Sequence, residues 1–201
     1  MNKPSAIKDW NVWKAHILAT PECAVPADLT GRWCVAHTRP RNEKALAREL
    51  QARGVFFYLP LSVNTSRGAR SGRLTRSLVS VFPSYIFLNC DERQRLTALQ
   101  TNRIVKTLPV DDQQRLVEEL RRIHRVIMTH TPFVLGPSIQ AGSWARVTSG
   151  PLDGLEGVVL RKLSGTRLAL NVKMLSQSVI LEVSQDMLEI INPPPRIEAE
   201  S

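Results

Sequence analysis

The sequence holds no apolar run near the roughly 20 residues that a membrane-spanning helix needs, so no membrane association is expected. Its start, Met1 to Trp10, lacks the apolar core of a secretory signal, which predicts a cytoplasmic protein. Cysteine is scarce. Cys23, Cys34 and Cys90 are odd in number, far apart and without a C-x-x-C pair, which argues against a disulfide framework or a zinc knuckle. Cys34 and Cys90 fall in apparent strands, where a thiol packs as a small apolar group. Cys34 and His37 as metal ligands, or as nucleophile and base, lack a further ligand cluster or acidic orienter nearby. Close acidic pairs are few: Asp91-Glu92, Asp111-Asp112 and Glu118-Glu119, each at a helix start or on a helix surface, where capping and solvation account for it. No catalytic residue, metal site or cofactor is predicted, and the chain reads as a binding protein that acts as a monomer.

What is present is a basic middle. The 201 residues are 43% hydrophobic, which suits one large or two small folded domains, and their net charge of +9 is uneven. Residues 1–31 are neutral, residues 32–128 carry 18 basic and 8 acidic groups, and residues 129–201 carry 6 and 7. Only the middle suits a polyanion or an acidic protein surface. Two domains with separate partners follow.

Residues 1–31 are predicted as an extension. Ile7, Trp10, Trp13, Lys14 and Ile17 fall near a helical period, ended by Pro21 and Pro26. The first domain, residues 32–128, has a strand Trp33–Thr38, then a helix Arg41–Arg53 opened by Pro40 and stopped by Gly54. Val55–Leu59 is a strand. Leu61–Thr65 and Leu74–Val81 are hairpin arms with an arginine-rich tip, and Ser84–Leu88 is a strand. Asp91 caps a helix through Leu99, and a longer helix carries Leu116, Val117, Leu120, Ile123 and Ile127 as an apolar stripe. This order predicts an α+β domain, an antiparallel sheet flanked by helices.

Thr129–Gln140, with Pro132, Gly136 and Pro137, is the expected linker. From 141 to 192 the pattern is all-β: Trp144–Val147, Gly157–Leu163, Arg167–Lys173, Val179–Val183 and Leu188–Ile191. Five short strands predict a small SH3-like barrel, since closure removes exposed edges. Residues 193–201 are an expected tail. Within Ala145–Val159, three glycines in eight residues, Gly150, Gly154 and Gly157, specify a tight turn between strands. That segment resembles the KOW motif of elongation factors and some ribosomal proteins.

The first domain resembles the N-terminal domain of the NusG/RfaH family of transcription elongation and antitermination factors. The resemblance rests on Trp33-Cys-Val-Ala-His-Thr38, on Arg41 and Glu43, on Arg53-Gly54-Val55, and on Tyr58-Leu-Pro60. It rests also on Val81-Phe-Pro-Ser-Tyr-Ile-Phe-Leu88, where Ser84 stands in place of the family's glycine. It implies binding to the clamp helices of RNA polymerase through an apolar surface, here Tyr58, Pro60, Phe82, Pro83, Tyr85 and Phe87. Strand alternation puts Phe82, Ile86 and Leu88 on one face and Tyr85 and Phe87 on the other; which face meets polymerase and which the core is open.

The resemblance also implies contact with the non-template DNA strand through Arg39, Arg41 and Lys44. Arg67, Arg70, Arg73 and Arg76 recur every three residues in the hairpin, as phosphate contacts or as a solvated loop. In the KOW domain, Met174, Leu175, Ser176 and Gln177 occupy the family's partner loop, with barrel packing the other reading. There Leu175 replaces a usual phenylalanine and Ser176-Gln177 replace glycine-arginine. A small-subunit ribosomal protein fits this loop better than the terminator Rho. The extension, the hairpin and the altered loop point to a specialised paralogue. β-Branched residues such as Val158, Val159 and Val172 favour a stable barrel over a domain that refolds from helices. The rival reading is a KOW-type RNA- or ribosome-binding protein that does not act on polymerase.

Overall fold

The computed structural model describes residues 31–67, 72, 74–162 and 165–193. The extension helix, the hairpin-tip residues Arg70 and Arg73, and residues 194–201 lie outside the described residues. The chain forms two compact units divided between Gln114 and Arg115.

The first unit opens with β1 (Arg32–Thr38), α1 (Glu43–Ala52), β2 (Phe56–Tyr58), β3 (Leu61–Arg67) and β4 (Leu74–Ser80). It continues with β5 (Tyr85–Cys90), α2 (Glu92–Leu99) and β6 (Ile104–Pro109). Four strands make an antiparallel sheet in the order β2-β5-β1-β6, and β3 and β4 pair separately as the expected hairpin. The antiparallel α+β design read from the sequence is present. Leu46 and Ala47, with Leu50 one turn on, share a face of α1 and bury against Cys34, Ala36, Ile86, Leu88 and Cys90 of the sheet. Gly54, at φ +67°, lets the chain reverse out of α1. Asp91 caps α2 as expected: its carboxylate accepts from Gln94 N at 2.7 Å, and Gln94 Oε1 accepts from Asp91 N at 3.1 Å.

Two features depart from the sequence reading. Helix α1 begins at Glu43 behind Asn42, so Pro40 and Arg41 belong to the preceding turn. Strand β6 was not anticipated; it is an edge strand whose Val105 and Lys106 are exposed, so it carries little apolar alternation.

The second unit holds most of α3 (Gln113–Met128), then β7 (Phe133–Pro137), β8 (Trp144–Val147), β9 (Glu156–Lys162), β10 (Gly165–Val172), β11 (Gln177–Glu182) and β12 (Leu188–Ile191). The strands form an antiparallel sheet in the order β12-β8-β9-β10-β11-β7. Five of them are the five expected. The sixth, β7, lies inside the segment read as linker, and Val134 and Leu135 pair with Ile180 and Val179. Its glycine and prolines suggested irregular chain, but at a sheet edge the N–H missing from Pro137 costs little. Helix α3, read as part of the first domain, joins this unit through named contacts. Glu119 accepts from Arg115 Nε at 3.0 Å and from Lys173 N at 3.1 Å; the Arg122 guanidinium lies 5.8 Å above the Trp144 ring; Arg125 donates to the Asp153 carbonyl.

Candidate functional site

Three loops meet at one end of the first sheet: residues 39–42 after β1, 81–84 before β5, and 101–103 before β6. Each contains a non-glycine residue in the left-handed region, Arg41 at φ 61°, Ser84 at φ 64° and Asn102 at φ 56°. Such residues persist only where surrounding bonds over-determine them, and they gather at working sites. The bonds are here. Thr38 N donates to Ser84 O at 2.8 Å and Arg39 N to Arg103 O at 2.9 Å. Ser84 N donates to Glu43 Oε1 at 2.6 Å. Arg103 reaches across to Glu49 and to Asn42 Oδ1, both at 2.6 Å.

Arg39 and Arg41 stand exposed on this braced end. Arg41 is not in the first helical turn, so it does not oppose the helix dipole; Glu43 holds that position, where an acid is favourable. Lys44 is half-buried, and its Nζ donates to Leu78 O at 2.5 Å, which ties α1 to the hairpin. Arg67 and Arg76 are exposed on the paired arms, and Arg70 and Arg73 are outside the described residues. Neither Asn42 nor Arg103 announced its bracing role, because the bond that joins them spans 61 positions of sequence.

The six aromatic and proline positions divide by exposure. Tyr58, Pro60, Phe82 and Phe87 are buried, Tyr85 is half-buried, and Pro83 is exposed. Ile86 and Leu88 face α1, so Phe87 takes the opposite face, where it meets Tyr58 at 6.3 Å and Phe82 edge-on at 6.1 Å. Phe82 therefore sides with Phe87, not with Ile86 as alternation suggested. The turn at Pro83 and Ser84 resets the alternation before β5 begins. Tyr85 lies tilted against His37, ring centroids 5.1 Å apart. Burial pushes the Tyr58 phenol well above its ordinary range.

In the second unit, the glycine-rich turn joins β8 to β9, with Gly154 N donating to Val147 O at 2.7 Å. Gly154 has φ +76°, and a Cβ on Gly157 would stand 2.7 Å from Ala169 O. The first glycine supplies a backbone conformation and the second a close approach. The loop at 173–177 is a tight 3-10 turn. Leu175 is buried, Met174 and Gln177 are half-buried, and Ser176 is exposed at φ 52°. Leu175 thus takes the packing role left open by the sequence. Among the described residues, no group of three or more His, Cys, Asp or Glu side chains is placed to hold a metal ion, and no helix is long and apolar enough to cross a membrane.

No curated protein matches the chain. Among solved structures it is similar to that of domain interaction in Thermotoga maritima NusG, at 17% identity over 81% of this chain and 98% of that one, with a TM-score of 0.40. It is also similar to an MjSpt4:Spt5 complex in conformation A, at 15% identity over 79% of this chain and 97% of that one (TM-score 0.29). The family model described as transcription termination factor nusG matches residues 31–137, more than half of the sequence. The chain belongs to the NusG family of transcription factors.

Proposed function

We propose that the chain is an elongation factor that binds RNA polymerase and the nearby non-template DNA strand, promotes processive transcription and opposes termination. The observation that carries this is a juxtaposition: the aromatic group Tyr58, Phe82, Phe87 and the exposed Arg39 and Arg41 share one braced end of a sheet in a family of transcription factors. Pro83 and Tyr85 lie at the accessible edge of the aromatic group, with Pro60 beside it in sequence. Pro83 and Tyr85 form the polymerase contact above the buried Tyr58, Pro60, Phe82 and Phe87, and Arg39 and Arg41, with the hairpin arginines Arg67, Arg70, Arg73 and Arg76, contact phosphates. Lys44 acts by holding the hairpin to α1.

A factor that holds the polymerase clamp closed needs no chemistry of its own. Binding the closed form better than the open form depopulates pause-prone states by the difference in affinity. The second unit serves as a KOW barrel that recruits a small-subunit ribosomal protein through Met174, Ser176 and Gln177, with Leu175 setting the loop's shape. Ser176 and Gln177, in place of the family's glycine and arginine, weigh against Rho.

The test is co-purification of the tagged full chain with core RNA polymerase, comparing the native protein with Tyr85→Ala. Polymerase held by the native chain and lost from the variant supports the reading. Recovery of ribosomal subunits or RNA without polymerase overturns it in favour of a KOW-type RNA- or ribosome-binding protein.

A further inference from the structure

We propose that the outer edge of β11, with Asn171 and Ser178, is a binding site for an extended protein segment, and that β7 is an intrachain occupant which a partner's strand replaces. Strand β7 is bound as a peptide is bound. Successive side chains of a strand point to opposite faces, and both Val134 and Leu135 are exposed, at 58% and 41%. Neither face of β7 is covered at these positions, and none of its five residues is buried. It holds to the sheet along one edge, in register from Phe133 opposite Leu181 to Pro137 opposite Gln177. Its neighbour β11, by contrast, buries Ser178, Val179 and Leu181.

Side chains extend the site beyond the ladder. Ser178 Oγ donates to the Pro137 carbonyl at 2.7 Å, and Ser138 N donates to Ser176 O at 3.0 Å. Asn171 takes both backbone groups of Ile139: its Oδ1 accepts from Ile139 N at 3.0 Å, and its Nδ2 donates to Ile139 O at 2.8 Å. An amide used in this way reads main chain, so it accepts any residue with a free N–H. The demand on side chains falls at Gly136, where a Cβ would stand 2.7 Å from Ile180 Cδ1, so a larger residue must push Ile180 aside. The fitting ligand is an extended segment with glycine facing Ile180 and free N–H and C=O groups three residues later. Main-chain bonds along the sheet edge supply affinity, and the close approach at Ile180 supplies selectivity.

Removing β7 exposes no buried side chain of its own and breaks edge bonds, each of which water replaces at small net cost. While β7 is in place the site is filled, so the apparent affinity of an incoming strand is lowered by the fraction of time the site stands open. The site adjoins the 173–177 loop through Ser176 and does not depend on the ribosomal partner proposed for that loop.

The experiment uses the full chain and, as probe, a fluorescent synthetic peptide with the sequence of residues 131–140. Ser138→Pro with Ile139→Pro removes two N–H groups that hold the occupant and leaves Asn171 and β11 intact. That variant is expected to bind the peptide about tenfold or more tightly than the native chain, because the open fraction rises. Asn171→Ala added to it, or Gly136→Val in the peptide, is expected to cancel the gain. Hydrogen exchange of β9 checks that the variant is folded, and in the native chain residues 133–139 are expected to exchange well ahead of β9 and β10. Equal peptide binding by the native chain and the proline variant, or binding indifferent to Asn171→Ala, would overturn the proposal. Protection of β7 equal to that of β9 in the native chain would do the same without any variant. A native chain that dimerises with rising concentration by exchanging β7 between copies would make the occupant a second copy and overturn the assignment to another protein.

Discussion

The carboxylate of Glu43, 8% exposed at the first turn of α1, accepts the backbone N–H of Ser84 at 2.6 Å, across 41 positions of sequence. One bond joins the helix that follows the Arg39–Arg41 turn to the loop that carries Phe82 and Pro83. It also holds Ser84 in a left-handed conformation that serine seldom adopts.

Removing that acceptor leaves a partly buried donor unmet. Glu43→Ala is expected to lower stability by about 1–3 kcal/mol in urea unfolding, and Glu43→Gln by less, because an amide oxygen still accepts. Equal losses in the two variants would show that the bond is not what Glu43 contributes.

Ser84 and Ser176 both stand where the family resemblance expects glycine, and both have positive φ, 64° and 52°. The strain of a side chain there, about 1–2 kcal/mol, exceeds the extra unfolded-state entropy of glycine, about 0.5–1 kcal/mol. Ser84→Gly and Ser176→Gly should therefore each raise the melting temperature by a few degrees, about 0.5–1 kcal/mol of stability. A lower melting temperature would mean that the serine side chain contributes more than its strain.

Gly157→Ala tests the other kind of glycine. The new methyl would press on the Ala169 carbonyl at 2.7 Å, backbone that cannot turn aside. A loss of about 1–3 kcal/mol in the second unit is expected, read by hydrogen exchange of β9 and β10.

Acid dependence should come partly from α3. Burial lowers His124 from its ordinary 6.5, so its stabilising contribution is present above pH 6.5 and is lost as pH falls through the depressed folded value. Burial raises Glu119 from 4.5, so its contribution is full below pH 4.5 and is lost as pH rises through the raised folded value. His124→Gln is expected to flatten the loss of stability on acidification below pH 6.5, and Glu119→Gln to flatten the opposing change that begins above pH 4.5. Urea titrations at several pH values separate the two.

Charge and apolar contact should separate in binding. Arg39→Glu with Arg41→Glu is expected to weaken DNA contact and to lower the salt slope by about one per arginine removed, while sparing polymerase. Tyr85→Ala should weaken polymerase binding about tenfold or more and leave the DNA salt slope unchanged. Lys44 is left out of this set, because its variants also release the hairpin from α1.

The alternating strands, the stripe Leu46, Ala47, Leu50, the Asp91 cap and the five strands from Trp144 to Ile191 were legible in the sequence, because each rests on neighbours within a few residues. The family was legible too, since its motifs are local and ordered. Tertiary structure alone decided the rest. β6 and β7 are edge strands, and half-exposed faces write a weak pattern. The allegiance of α3 depends on Glu119 meeting Lys173 and Arg122 meeting Trp144, pairings that no local period encodes. Phe82 changed sides because Ser84 turns the backbone first, and Lys44 became a brace because the hairpin carbonyl of Leu78 lies within its reach. Local rules set which elements form; contacts distant in sequence set which side chains remain available to a partner.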